Sequence, residues 1–401
     1  ISDQTESLLN RLSDSVTIYA FFANYDQAYP LAKEILGRYQ RYSNKIKVEY
    51  IDPQSRPDLT EQFQITDSGS RIVISARGQD TRAKDLSEEE LTNAIIRVAE
   101  QSSKTIYFLT GHGEGDIEDD SSAEGYKILA DSITTEGYQV ETLSFITPAK
   151  LDNSGGKVVL TPKKIADNKI AIPDSVDVLF ILGPRANLME PEVVAVRQFI
   201  ERGGRVVVML DNCVESGLEK MLISYNIALH DDMVVDPNPL SRMLGLGPAA
   251  PMIIPVDEPH QITKDLTIAV IMNTARTMDI SQKVMGGVTA RPLLRTGESA
   301  WGETALSGDE QIAEFGDDDY QGNLSVAGLV ERNIDSSMID RISDSGKVLV
   351  LGDSDFVNNK YIVMQGNIDF MLNSINWLAE EEQRITIRPK NRASSQLTIY
   401  G

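Results

Sequence analysis

The sequence predicts an α/β protein of two consecutive domains, the second built on a doubly wound parallel sheet. Three observations carry this. Strand-like and helix-like apolar patterns alternate along most of the chain. Val176–Leu182 and Arg205–Leu210 are near-continuous apolar runs, as expected of strands covered on both faces. Those runs end in Gly or Asp, residues that turn a chain at a strand end.

In the first part, Val16–Phe22 is β-branched and aromatic and reads as a strand. Residues 26–42 place Ala28, Leu31, Ala32, Ile35, Leu36 and Tyr39 on one helical stripe. Ile46–Ile51 reads as a second strand, stopped by Asp52-Pro53, and Pro57–Phe63 as a short helix. Arg71–Ala76 and Thr81–Lys84 flank a hairpin turn at Arg77-Gly78-Gln79-Asp80. Ser87 and Glu90 form a capping box that opens a helix through Glu100. This β-α-β-α-β-β-α order matches a thioredoxin-like layout over residues 1–102. Its redox chemistry needs Cys-x-x-Cys after the first strand. Ala23-Asn24-Tyr25-Asp26 stands there instead, so a redox-dead scaffold is expected.

After the linker Gln101-Ser102-Ser103, the second domain is assigned to 103–390. Thr105–Leu109 is a strand, followed by Thr110-Gly111-His112-Gly113-Glu114-Gly115 and the acidic stretch Glu114–Asp120. A helix is expected from about Ala123 to Glu136, a strand at Tyr138–Leu143, and irregular chain over 147–173. Pro191 opens a helix through Arg202 that Gly203-Gly204 stops. Residues 237–305 are rich in Pro, Gly and Met without a clear period, and read as an insertion with short strands. Leu324–Val330, Lys347–Leu351 and Ile385–Ile387 read as strands, Gly366–Glu382 as the closing helix, and 391–401 as a tail.

Composition narrows the function. At roughly 100–200 residues per domain, 401 residues suit two or three domains. Sixty acidic against 38 basic residues give a net charge of −22. No basic patch or stripe is visible, so nucleic acid is not an expected partner, nor is an anionic membrane surface. Cys213 is the only cysteine, which excludes an intramolecular disulfide and a multi-cysteine metal site. It is expected to be a small buried apolar residue. No run of about 18 apolar residues occurs, so no transmembrane helix is expected within the chain. The opening at Ile1 reads as an excised fragment, with any flanking membrane segments outside it. Phosphate-cradle motifs are absent. Gly111-x-Gly113-x-Gly115 has the wrong spacing, and Glu114 and Asp116 would repel phosphate. Neither ATP hydrolysis nor a cofactor is expected.

Ligands of open α/β sheets bind at the carboxyl ends of strands. Four such ends are polar here: Gly111-His112-Gly113-Glu114, Gly183-Pro184-Arg185, Asp211-Asn212-Cys213 and Gly352-Asp353-Ser354-Asp355. The candidate ligand- or partner-binding residues are Gly111, His112, Gly113, Glu114, Arg185, Asp211, Asp353, Ser354, Asp355 and Asn358. Were they to converge, His112 with a carboxylate could act as a general base, or several carboxylates could hold a divalent cation. That is the alternative reading, a metal-assisted or acid–base hydrolase. Against it, glycines end strands, and Asp or Asn cap the helices after them, without any chemistry. Gly352-Asp353-Ser354 is like the serine motif of some esterases, but no Asp-x-x-His near the C-terminus supplies a base. Cys213 lacks the small flanking residues of a nucleophile elbow. No catalytic or metal-ligating residue is assigned.

Four segments resemble the GldG-type auxiliary proteins of bacterial ABC transport systems, associated with gliding motility. They are Ile1–Thr5 through Phe22, the Thr110–Glu114 loop, Val178–Pro184 with Gly203-Gly204 and the strand to Asp211, and Gly352–Phe356 with Asn358, Gly366-Asn367, Asn373 and Asn376-Trp377-Leu378. The resemblance spans essentially the whole chain. It implies a Rossmann-like or flavodoxin-like second domain of the type found in intraflagellar-transport proteins (GIFT-type). It also implies an ectodomain between membrane helices on the periplasmic side, and ATPase and permease partners. It brings no catalytic residues. Asp211-Asn212-Cys213 departs from the family's Asp-Pro, which puts that loop's role in doubt. A polysaccharide or other cell-surface ligand would suit the Asp- and Asn-rich loops. A ligand-free scaffold is the third reading.

Overall fold

Apolar residues at strand and helix spacing sort the chain into two units, residues 1–103 with 135–137 and residues 104–134 with 138–382. The computed structural model describes residues 1–12, 14–63, 65, 71–76, 78–99, 104–147, 161–162, 170–243, 245–258, 260–305, 313, 315–364 and 366–380.

The first unit runs α1 (Asp3–Arg11), β1 (Val16–Phe21), α2 (Tyr29–Tyr42), β2 (Ile46–Ile51), α3 (Pro57–Gln62), β3 (Ile72–Ala76), β4 (Gln79–Ala83) and α4 (Glu88–Ala99). The sheet order is β2-β1-β3-β4. β1 and β2 are parallel, and β3 and β4 continue antiparallel. Ile18 and Ile74 of the sheet pack against Ala32 and Leu36 of α2 and Leu91 and Ile95 of α4. The capping box forms in altered shape. Ser87 Oγ accepts from the Glu90 amide at 3.3 Å, but the Glu90 carboxylate turns to the Lys84 amide at 3.1 Å. After β1, Asp26 accepts from the Ala28 amide at 2.9 Å and pairs with Arg71.

The second unit opens with β5 (Thr105–Thr110), α5 (Lys127–Thr135), β6 (Gln139–Ser144), the two-residue strands β7 (Ile146–Thr147) and β8 (Thr161–Pro162), β9 (Val178–Leu182), α6 (Glu190–Glu201) and β10 (Arg205–Met209). It continues through α7 (Glu219–Ser224), β11 (Ile227–Leu229), β12 (Met233–Val235), α8 (Pro239–Met243), β13 (Met252–Pro255), β14 (Val270–Ile271), β15 (Met278–Ile280) and β16 (Val288–Arg295). β17 (Trp301–Glu303), β18 (Tyr320–Gln321), β19 (Ser325–Asn333), β20 (Ser345–Leu351) and α9 (Asn367–Leu378) complete it. The main sheet runs β14-β13-β16-β19-β20-β10-β9-β5-β6, with β11 and β15 attached at β19. Pairings from β20 to β6 are parallel; those from β14 to β20 are antiparallel.

β9 and β10 are buried at every position, because both faces are covered. Leu179, Ile181, Val206 and Val208 face α6 and α7 through Val196, Phe199, Ile200 and Leu222. The alternate residues point the other way, where Phe108 and Phe180 lie 4.8 Å apart. The fold is therefore mixed α/β, with parallel and antiparallel pairing in one sheet. Within residues 237–305, expected as an insertion with short strands, β13 and β16 extend that sheet. α5 starts at Lys127 rather than near Ala123, because Asp119 Oδ1 accepts from the amides of Ser121 and Ser122 and holds a turn there. Most of 147–173, the expected strand at 385–387 and the tail at 391–401 lie outside the described residues. Among the described residues, no helix is long and apolar enough to cross a membrane.

Candidate functional site

β20, β10, β9 and β5 are consecutive parallel neighbours, so their carboxyl ends leave the sheet side by side. The four polar loops expected from the sequence are those ends. They frame a cleft of about 330 Å³. Gly113, Glu114, Arg185, Asp211 and Ser354 line it, joined by Asp116 and Asp119 of the acidic stretch and by Glu124 and Tyr126, which were not singled out. His112, Asp353 and Asn358 are buried and do not line the cleft. Gly111 and Asp355 are not part of its lining either. Arg185 is exposed at the cleft and carries its cationic charge among carboxylates.

Asp211 ties two of the loops together. Its Oδ1 accepts from the Ser354 amide at 2.6 Å, and its Oδ2 from Ser354 Oγ at 2.8 Å. Tyr126 Oη lies 3.3 Å from the same Oγ. Burial raises the Tyr126 phenol far above neutrality, so it stays protonated. Arg276 Nη1 donates to the Asp211 carbonyl at 3.2 Å. This arrangement needs Gly183. Its φ is +59°, and a Cβ there would stand 2.4 Å from Ser354 Oγ and 3.0 Å from Asp211 Oδ2. Gly183→Ala is therefore expected to cost about 2 kcal/mol, from left-handed backbone strain and a displaced Ser354. Urea unfolding followed by tryptophan fluorescence measures it, and an unchanged midpoint would contradict the close approach.

His112 is clamped between two carboxylates. Nδ1 lies 3.1 Å from Glu114 Oε1, and Nε2 lies 2.9 Å from Glu192 Oε2. The His112 amide also donates to Glu114 Oε2 at 2.6 Å. All three side chains are at most 4% exposed. The hydrogen bond to Glu114, with the Glu192 charge behind it, raises the imidazole above its ordinary value against the opposing effect of burial. Burial works against the Glu114 carboxylate, but its bonds to His112 outweigh that and hold it below the usual range. Glu192 sits at the third position of α6, where Oε2 also accepts from the Met189 amide at 2.7 Å. The clamp thus fastens the loop after β5 to the start of α6.

Asp353 is 1% exposed. Its Oδ1 accepts from the Asp355 amide and its Oδ2 from the Asn273 amide, both at 2.8 Å. Burial, then the charges of Asp211 and Asp355, push it well above the carboxylate range. Burial and Asp211 also raise Asp355, against the pull of Arg185. Asn358 Oδ1 accepts from the amides of Lys360 and Tyr361, both at 3.0 Å, and shapes the turn after it. Cys213 corrects an expectation. It is exposed, with φ +56°, because the loop after β10 turns outward and its amide donates to Asp231 at 3.2 Å.

Chemically, the hydroxyl of Ser354 is engaged by Asp211 and Tyr126, and both ring nitrogens of His112 by glutamates. Neither is arranged to serve the other as nucleophile and base. Among the described residues, no group of three or more His, Cys, Asp and Glu is placed to hold a metal ion. Besides Glu124 and Tyr126, sequence reasoning missed Glu192. Its only local signal is an acid at the third position of a helix with proline in its first turn.

A family model described as an ABC-type uncharacterized transport system matches residues 103–374. A model of a domain of unknown function matches residues 1–109. No curated protein matches the chain. Similar solved structures include the N-terminal domain of mmIFT52, at 15% identity, covering 68% of this chain and 97% of that one with a TM-score of 0.47. A ThuA-like protein from Bacteroides uniformis is 12% identical, over 69% of this chain and 90% of that one, with a TM-score of 0.35. A cytoplasmic protein from Salmonella typhimurium LT2 is 9% identical, over 69% and 99%, with a TM-score of 0.36.

Proposed function

The chain belongs to the ABC-type uncharacterized transport system family, and we propose that it is the extracytoplasmic, non-catalytic part of a GldG-type auxiliary subunit that binds a ligand or partner through the strand-end cleft. The auxiliary role in an ABC transport system comes with the family. The periplasmic location, flanking membrane helices, permease and ATPase partners, and a link to gliding or polysaccharide export belong to the proposal.

One observation carries the non-catalytic reading. The groups most able to break bonds, Ser354 Oγ and the His112 imidazole, are each consumed by hydrogen bonds that hold the loops together. What faces the cleft is Arg185 and a set of carboxylates with Tyr126, a lining suited to a hydroxyl-rich ligand that donates to carboxylates and accepts from arginine. The N-terminal unit is read as a thioredoxin-like scaffold, supported by parallel β1 and β2 with antiparallel β3 and β4. The second is read as a Rossmann-like domain from about residue 103, supported by its four adjacent parallel pairings.

Affinity capture of the membrane-embedded, full-length protein should recover a permease and an ATPase; empty captures in several detergents would sink the partnership. Glycan titration by thermal shift tests the cleft. A ligand at 100 times its Kd should stabilise by about 2.7 kcal/mol. Arg185→Gln removes the cation that faces the cleft's carboxylates and should abolish that shift, read against the variant's own unliganded midpoint. Turnover that disappears in His112→Ala would instead favour the hydrolase reading.

A further inference from the structure

At the opposite end of the sheet, three buried hydrogen-bond donors have no acceptor among the described residues. Arg197 and Glu201 stand four residues apart on α6, hence on one face of it. Glu201 Oε1 lies 4.0 Å from Arg332 Nη2, too far for a hydrogen bond. Arg332 belongs to β19 and pairs with Gly346 at the start of β20, whereas the cleft lies at the end of β20. Tyr225 follows α7, is 2% exposed, and shares a core cluster with Phe199 and Ile200 of α6 and Val330 of β19. The Tyr225 hydroxyl, Arg197 Nε and Arg332 Nε are all buried, and none has a hydrogen-bond partner among the described residues. Burial and then Glu201 push the phenol up to about 12, with Arg332 and Arg197 pulling it back. It is therefore a donor at neutral pH, and the two guanidinium charges bear on it.

Buried donors are matched in nearly all folded proteins, so three unmatched ones at one place call for an acceptor. Two guanidinium groups and a phenol offer N–H and O–H donors to an anion with several oxygens. Arginine forks fit phosphate geometry in particular. In a chain of net charge −22, Arg197 of α6 and Arg332, whose one ion pair among the described residues is the loose contact to Glu201, are a local exception to the prevailing charge. We propose that Arg197, Arg332 and Tyr225 form a binding site for a tetrahedral oxyanion of the phosphate class, with Glu201 giving way as the anion enters. The site is independent of the strand-end cleft and of the ligand proposed for it.

The test is a thermal-shift titration of the whole chain with inorganic phosphate, against sodium chloride at matched ionic strength. Phosphate is expected to raise the midpoint beyond chloride. Arg332→Gln is expected to raise the half-saturating phosphate concentration by about tenfold or more, the loss of a charge-assisted bond. Tyr225→Phe is the sharper variant. Its hydroxyl satisfies nothing in the free protein, so the unliganded midpoint should hold or rise while phosphate binds more weakly. Phosphate no better than chloride overturns the site, as does wild-type phosphate binding by both variants. So does a lower unliganded midpoint for Tyr225→Phe, which would place its hydroxyl in a structural bond. Sedimentation with phosphatidylcholine vesicles, with and without phosphatidic acid, separates the two sources of phosphate. Arg332-dependent capture by the acidic vesicles assigns a lipid headgroup, and phosphate binding without it assigns a soluble ligand.

Discussion

Asn367→Ala is expected to lower the unfolding free energy by about 4 kcal/mol, a large effect for a single polar truncation. Asn367 opens α9 and is fully buried. Its Oδ1 accepts from the Ile271 amide at 2.7 Å. Its Nδ2 donates to the carbonyls of Ile271 and Phe356 at 2.8 Å and of Tyr361 at 3.0 Å. One side chain thus satisfies β14, the turn after β20 and the segment leading into α9. Alanine would leave one amide and up to three carbonyls buried without partners. Each such orphan costs about 1–3 kcal/mol, moderated by local rearrangement. Asn367→Asp separates the two halves of the role. It keeps an acceptor for Ile271 but turns the donor into a second acceptor facing carbonyls, so it should cost at least as much as alanine. Urea unfolding followed by tryptophan fluorescence is the measurement, since Trp301 and Trp377 both lie in the larger unit. A loss below about 1 kcal/mol for both variants would show that the bonds carry no net weight.

The central sheet was legible because strands buried on both faces leave unbroken apolar runs, as at Val178–Leu182 and Arg205–Met209. The loops of the cleft were legible for a related reason, since glycine and aspartate end those runs. Of the flanking strands, β19 was legible as the run Leu324–Val330, but β16 was not. β16 contains Pro292, and its pairing with β19 slips between Pro292 and Leu294 and again before Arg295. A bulge breaks the period-two alternation that marks a strand. The inner structure of the site was hidden for another reason: its bonds are long-range. His112 and Glu192 are 80 residues apart, and Asp211 and Ser354 are 143 apart. Nothing local in either segment announces the other. Cys213 misled because a cysteine following an apolar strand usually stays inside, whereas here the backbone turns left-handed directly after Asn212 and carries it out.

Stability should fall as pH rises above about 6.5, and Glu192→Gln should blunt that fall. His112 has a folded pKa raised above its unfolded value near 6.5 by Glu114 and Glu192. Between those two values the folded state holds a proton that the unfolded state has released. Stability from the clamp is thus complete below about pH 6.5 and is lost as pH climbs through the folded value, with a slope of up to about 1.4 kcal/mol per pH unit. Below pH 6.5 a second histidine acts with the opposite sign. Burial, with Arg291 and Lys347 nearby, depresses His260 to about 4. There the unfolded chain takes up the proton that folded His260 refuses, so stability falls as pH drops from about 6.5 toward 4. The two histidines by themselves favour a maximum near pH 6.5, and the raised carboxyls of Asp353 and Asp355 oppose the His260 limb, since protons they hold in the folded state are lost as pH rises. Glu192→Gln keeps an oxygen for the Met189 amide and removes one of the charges that hold the imidazolium. The alkaline slope should then begin at the same pH but end sooner, leaving the acidic limb from His260 unchanged. His112→Asn should abolish the alkaline limb and also cost about 3 kcal/mol near pH 7, because Glu114 and Glu192 stay buried without their cation. Unfolding free energies measured from pH 5 to 9 on the three proteins decide the matter. A wild-type curve flat above pH 7, or a Glu192→Gln curve that coincides with wild type, would mean that His112 is neutral in the folded protein. The clamp would then be a pair of neutral hydrogen bonds, and the loop after β5 would owe its position to Gly113 and the backbone bond from Arg185 to the His112 carbonyl at 2.8 Å.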